Sequence, residues 1–177
     1  MLAASGNVAA SHSAPAFPPL KRAQMNTQAA PLDPELRKVD SLLAHYGESH
    51  RHPVNERIHL VAIPAIMVGI LGLLWALHPW AAYAFVAASL VYYARLQAPA
   101  LLAIMAAWTV LMFGLVQVMG ARVLPVSAGL FVVGWIFQFI GHKLEGRKPS
   151  FLEDVQYLWI GPLFVVVRLL GRAGIRA

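Results

Sequence analysis

The sequence predicts an all-α integral membrane protein. Four transmembrane helices form a bundle, preceded by a short amphipathic helix and followed by a C-terminal helix that is interfacial, re-entrant or a fifth span. Three observations predict it. Of 177 residues, 59% are hydrophobic and 12% charged, about half the roughly 25% charge of a soluble domain. The mean hydropathy is +0.62, so too little polar surface is available to coat a soluble globule. Finally, apolar runs at 58–77, 80–96, 100–119 and 123–144 each come near the ~17–25 residues that span a hydrocarbon core.

Residues 1–32 are rich in Ala, Ser and Pro and read as a disordered tail ahead of one membrane-embedded domain, 33–177. No basic start leads into an apolar stretch of signal-peptide length, and Pro15, Pro18 and Pro19 break the segment. From Pro34 to about Tyr46, Leu36, Val39, Leu42 and Leu43 recur at helical spacing. Asp33 fits the N-cap, Pro34 the first helical position and Gly47 the stop. His78-Pro79 makes a tight connection between the first two runs, Gln97-Ala98-Pro99 the second connection, and 120–122 the third. Pro64 and Pro125 are expected in the first turns of their helices, where proline is best tolerated. Trp75, Trp80, Trp159, Tyr92 and Tyr93 fall near run ends, as interfacial aromatics do, whereas Trp108 and Trp135 are expected deeper. A shorter apolar stretch, 155–170, contains Gly161-Pro162, with Glu153 and Asp154 as its expected caps.

Basic residues set the orientation. Lys21, Arg22, Arg37, Lys38, Arg51 and Arg57 precede the first run, Arg95 ends the second, and Lys143, Arg147 and Lys148 follow the fourth. A cytoplasmic N-terminus puts all of these inside and leaves Arg122 outside. The net charge of +6 flanks apolar runs, which fits contact with membrane lipid and not with nucleic acid. Without a leader the chain fits a bacterial inner membrane, or the endoplasmic reticulum if eukaryotic. There is no cysteine, so disulfides, thiolate metal sites and a cysteine nucleophile are excluded.

Chemistry concentrates in two polar islands. HYGESHRHPVNERIH (45–59) holds four of the seven histidines, and GHKLEGRKP (141–149) closes the fourth run. Four spans return the chain to its starting side, so both islands share one membrane face. His59 opens the first membrane helix and His142 closes the fourth. Ionisable groups placed there face the bundle interior. A turn at His52-Pro53 folds His50 back over His59. Three neutral imidazoles suit iron or zinc, with His45 and His52 as substitute ligands. Glu145, three residues after His142, is expected as a fourth ligand or as an acceptor orienting an imidazole. Asn55 and Gln138 are candidates for hydrogen bonding around the site, and Arg147 and Lys148 for an anion clamp. A non-catalytic lipid-binding scaffold and a zinc hydrolase remain open alternatives on these residues alone.

Both islands carry a recognisable pattern. The first runs Tyr46, His50, Pro53, Asn55, His59 and Pro64; the second is GWIFQFIGH, 134–142, followed by Glu145, Arg147, Lys148 and Pro149. Together they resemble the Mpo-type family of small membrane proteins. The resemblance implies an Fe(II)-dependent dioxygenase of phytosphingosine breakdown. Its substrates would be a 2-hydroxy fatty acid and O2, its product the fatty acid one carbon shorter, with the carboxyl carbon lost. It implies Fe(2+) as cofactor, His50, His59 and His142 as catalytic ligands, and Arg147 or Lys148 on the carboxylate.

Overall fold

The computed structural model describes residues 34–146, 148 and 157–174. Among these, six α-helices and no strand occur: α1 Pro34–Glu48, α2 Pro53–Leu77, α3 Pro79–Ala94, α4 Pro99–Val118, α5 Val123–Glu145 and α6 Tyr157–Arg172. A 3-10 turn, Gly120–Arg122, joins α4 to α5. The predicted tail, the Asp33 cap, Arg147, Glu153 and Asp154 lie outside the described residues. Helices α2, α4 and the stretch from Gly120 through α5 are long and apolar enough to cross a membrane. Helix α3 has 16 residues, about 24 Å of rise, against a hydrocarbon core of ~30 Å.

Prolines start the helices. Pro53 and Pro79 each take the first helical turn, and the preceding histidine caps it. His52 Nδ1 accepts the Val54 N–H at 3.2 Å, and His78 Nδ1 accepts the Trp80 N–H at 3.2 Å. The same His-Pro device thus starts both helices, and at His78 it also ends α2. It also corrects an expectation. Because α2 begins at Pro53, within the polar island, Pro64 lies in the helix interior and not in its first turn. Its missing N–H leaves the Leu60 carbonyl without its usual partner, which membrane helices tolerate.

Helices α2 and α5 run antiparallel in close contact. A Cβ on Gly69 would meet the Phe131 backbone N at 2.9 Å, and one on Gly134 would meet Ile66 Cγ1 at 2.6 Å. With lipid outside, apolar burial drives helix pairing weakly. Close backbone approach through small residues supplies dispersion contacts instead. This pairing fixes the register of the two polar islands, because α2 starts where α5 ends.

Helix α6 packs against α1 and α2. Its Ile160, Leu163, Phe164, Val165 and Val166 are buried in one cluster with Val39, Ile63, Tyr93 and Met105. Trp159 is not a free interfacial aromatic: its indole N–H donates to Ser89 Oγ at 2.9 Å, and its carbonyl accepts the Tyr93 O–H at 3.0 Å. At the other end, Arg172 pairs with Glu56 in the first turn of α2 at 3.1 Å. Helix α6 therefore rises from beside α3 to the end of α2 that carries the histidines.

Candidate metal centre

His59 is the seventh residue of α2, and His142 lies on the last turn of α5. The antiparallel pairing brings their Nε2 atoms to 3.1 Å. His50, in the short link between α1 and α2, turns back over both. Its ring centroid lies 4.2 Å from that of His59 and 5.1 Å from that of His142. One ligand atom from each of the three falls within 4.8 Å of the others, and all three side chains are buried.

Proton placement follows from the acceptors. His50 Nδ1 lies 2.6 Å from the Tyr46 carbonyl, and His59 Nδ1 lies 2.9 Å from the Asn55 carbonyl. A carbonyl only accepts, so each Nδ1 carries the hydrogen and each Nε2 presents a lone pair. In both cases the acceptor sits four residues earlier in the chain, the arrangement that fixes tautomer and ring direction in metal-binding histidines. His50 Nε2 and His142 Nδ1 are buried without a hydrogen-bond partner. An orphaned buried group costs roughly 1–3 kcal/mol. His59 Nε2 and His142 Nε2 can share one hydrogen, but the buried His50 Nε2 lone pair has no donor, and a cation would satisfy it. The residues fit a metal ion on chemistry, because three imidazole nitrogens suit iron or zinc. Burial is the main influence on His50. It outweighs the Tyr46 carbonyl and the Glu145 carboxylate and holds the imidazole below its ordinary range, neutral at pH 7.

Glu145 does different work from that expected. Its carboxylate accepts the backbone N–H groups of Arg51 at 3.0 Å and His52 at 2.8 Å, and the Asn55 side-chain amide at 3.1 Å. It thereby ties the end of α5 to the link carrying His50, and it contacts no ring nitrogen among the described residues. Asn55 also donates to the Ser49 carbonyl at 3.1 Å. Gly141 makes room for it, since a Cβ there would collide with Asn55 Oδ1. Gly146 ends α5 with φ of 73°, a left-handed turn that suits glycine. Gln138, one turn before His142 on α5, is buried.

The remaining expected residues lie elsewhere. His45 is exposed on α1, stacked on Tyr157 and 3.9 Å from Glu48. His52 caps α2, and Lys148 is exposed. Two residues were not expected at the site. Tyr46 stacks on His50 with centroids 4.3 Å apart, and Phe164 of α6 covers His50 at 5.5 Å. Burial pushes the Tyr46 phenol above its usual range, so it stays protonated. Only the Tyr46-x-x-x-His50 spacing hinted at the first, and nothing local marked Phe164.

The family profile described as "2-hydroxy-palmitic acid dioxygenase Mpo1-like" matches residues 36–173. The "2-hydroxy-palmitic acid dioxygenase MPO1" of Saccharomyces cerevisiae is 29% identical over 145 residues, covering 78% of this chain and 83% of the yeast protein. No solved structure matches the chain.

Proposed function

The chain belongs to the Mpo1-like family, and from that premise we propose that it is an Fe(II)-dependent dioxygenase of 2-hydroxy fatty acids. The reaction would take a 2-hydroxy acid and O2 to the acid one carbon shorter. Atom balance sends the lost carboxyl carbon out as CO2 with one water. The observation that carries the reading is the buried convergence of His50, His59 and His142 in a family whose name states this activity. Iron held by these three residues would supply the oxygen chemistry.

The chain's own residues would do the rest. Tyr46 and Asn55 carbonyls orient two of the rings. Glu145 and Asn55 hold the link that carries His50. Phe164 and Tyr46 exclude water from one side of the centre. Arg147 and Lys148, just beyond α5, would draw the carboxylate to this face.

We also infer four membrane crossings. Helix α2 starts, and α5 ends, at the histidine face. An even number of crossings must then separate those points, so α3 traverses despite its length. Helix α6 is read as re-entrant, since its contacts with Ser89, Tyr93 and Glu56 all fall in the half of the bundle nearer that face. The basic residues favour a cytoplasmic histidine face, at the inner membrane of a bacterium or the endoplasmic reticulum of a eukaryote.

The test is metal analysis of anaerobically purified protein. The proposal expects about one iron per chain, lost in His59→Ala and His142→Ala. Zinc at full occupancy with no O2 uptake would move the reading to a hydrolase. Wild-type iron in both variants would end it.

A further inference from the structure

Beside the histidines lies a narrow open cavity of ≈ 40 Å³, lined by α1, α2, α5 and α6. Its polar groups gather at one end. His142, Gln138 and the Tyr46 ring line that end, and the Tyr46 hydroxyl sits where a Cβ on Gly161 would come within 3.1 Å of it. The other end is apolar, formed by Ile66, Met67 and Trp135. Helices α5 and α6 both pack on α2 but barely on each other, so the cavity is the gap between them. Half-buried Trp135 and Leu158 stand on its two sides. Outside, Ile136 and Phe139 of α5 are exposed on a helix apolar enough to lie in hydrocarbon.

We propose that this gap is a lateral entrance from the bilayer that binds the first part of a single-chain acyl acid. The Tyr46 hydroxyl and Gln138 amide meet its head, and its far end stays in lipid. The inference deepens the dioxygenase reading and rests on it. The dimensions lead to the second half of the claim. His142 and Trp135 are seven positions apart on α5, about 10 Å of rise. That is a third of the ~30 Å hydrocarbon core, far less than a long acyl chain needs. The protein therefore grips the carbons near the head and leaves the terminal carbons outside. Selectivity should fall on bulk near the carboxyl group and hardly at all on total length. A phenol and a primary amide both donate hydrogen bonds to a carboxylate without forming a buried ion pair.

Two measurements on the reconstituted full chain test this. The first compares long-chain 2-hydroxy acids carrying one methyl branch, either near the fifth carbon or near the chain end. A branch near the head should lower kcat/KM tenfold or more, the scale of a misfitted methylene or two, and a terminal branch less than twofold. Trp135→Ala should recover most of the loss for the head-proximal branch, a gain that a misfolded variant cannot show. Equal sensitivity to both branches, or no recovery, would overturn the proposal. The second needs no turnover. A 2-hydroxy acid with a photoreactive diazirine near the fifth carbon should label Trp135, Met67 or Leu158 in metal-free protein. Labelling spread over the outer face, at Val61 and Phe137, would overturn it. A wild type without activity but with specific cavity labelling would count against the dioxygenase reading alone.

Discussion

Replacing Glu145 with alanine tests how the fold holds the metal centre. The carboxylate accepts three hydrogen bonds, at 2.8, 3.0 and 3.1 Å, all from residues 51–55. Hydrogen bonds to a charged group contribute about 1.5–3 kcal/mol each. Water reaches this carboxylate, and bonds that share one acceptor are not additive, so the loss should lie at the lower end for the group as a whole. Removing a partner that orients a metal ligand typically costs 10–100-fold in affinity, which corresponds to ~1.4–2.8 kcal/mol. The two scales agree. Glu145→Ala is therefore expected to bind Fe(II) 10–100-fold more weakly, measured anaerobically against a competing chelator in lipid nanodiscs. Glu145→Gln, which keeps one acceptor oxygen, should fall between. X-ray absorption on the iron-loaded Gln variant should show the same nitrogen ligands as wild type. An affinity for Glu145→Ala within twofold of wild type would refute the reasoning, and a changed first coordination sphere in the Gln variant would instead make Glu145 a ligand.

Two further outcomes follow from the same contacts. Gly141→Ala and Gly134→Ala both insert a methyl group between α2 and α5, where a Cβ meets Asn55 Oδ1 in one case and Ile66 Cγ1 at 2.6 Å in the other. Each should lower thermal stability on the ~1–3 kcal/mol scale of overpacking, yet only Gly141→Ala should also weaken metal binding, so equal metal loss in both would contradict the site geometry. Burial lowers the His50 pKa, so below about pH 6.5 the unfolded chain takes up the proton more readily than the folded one. Stability of the metal-free protein is then complete above that pH and lost as pH falls through the folded value. His50→Gln should flatten this slope between pH 7 and 5 in thermal unfolding, and an unchanged slope would assign it to other groups.

Much of the helix plan could be read from run lengths, because hydropathy over some twenty residues is a local signal. His59 and His142 were legible for a different reason: each lies near the end of an apolar run, and counting crossings puts those ends on one face. His50 needed the additional guess that the chain turns back at His52-Pro53. The supporting contacts were not legible. Glu145 reaches His52 across 93 residues and Trp159 reaches Ser89 across 70, and nothing near either residue in sequence marks its partner. Glu145 was expected beside an imidazole because i to i+3 spacing suggested it. The backbone N–H groups of Arg51 and His52, just ahead of α2, attract it instead. Pro64 was placed one turn from a helix start because the apolar run begins late, whereas the helix begins at its capping histidine.

The measurement that tests the central claim most directly is O2 uptake with 2-hydroxypalmitate by the Fe(II)-loaded protein, with the shortened acid quantified in the same sample. One O2 consumed for each fifteen-carbon acid released, abolished by chelator and by His59→Ala, is the predicted result. Uptake and product that survive removal of His59, or iron-loaded wild-type protein that consumes no O2, would contradict the account.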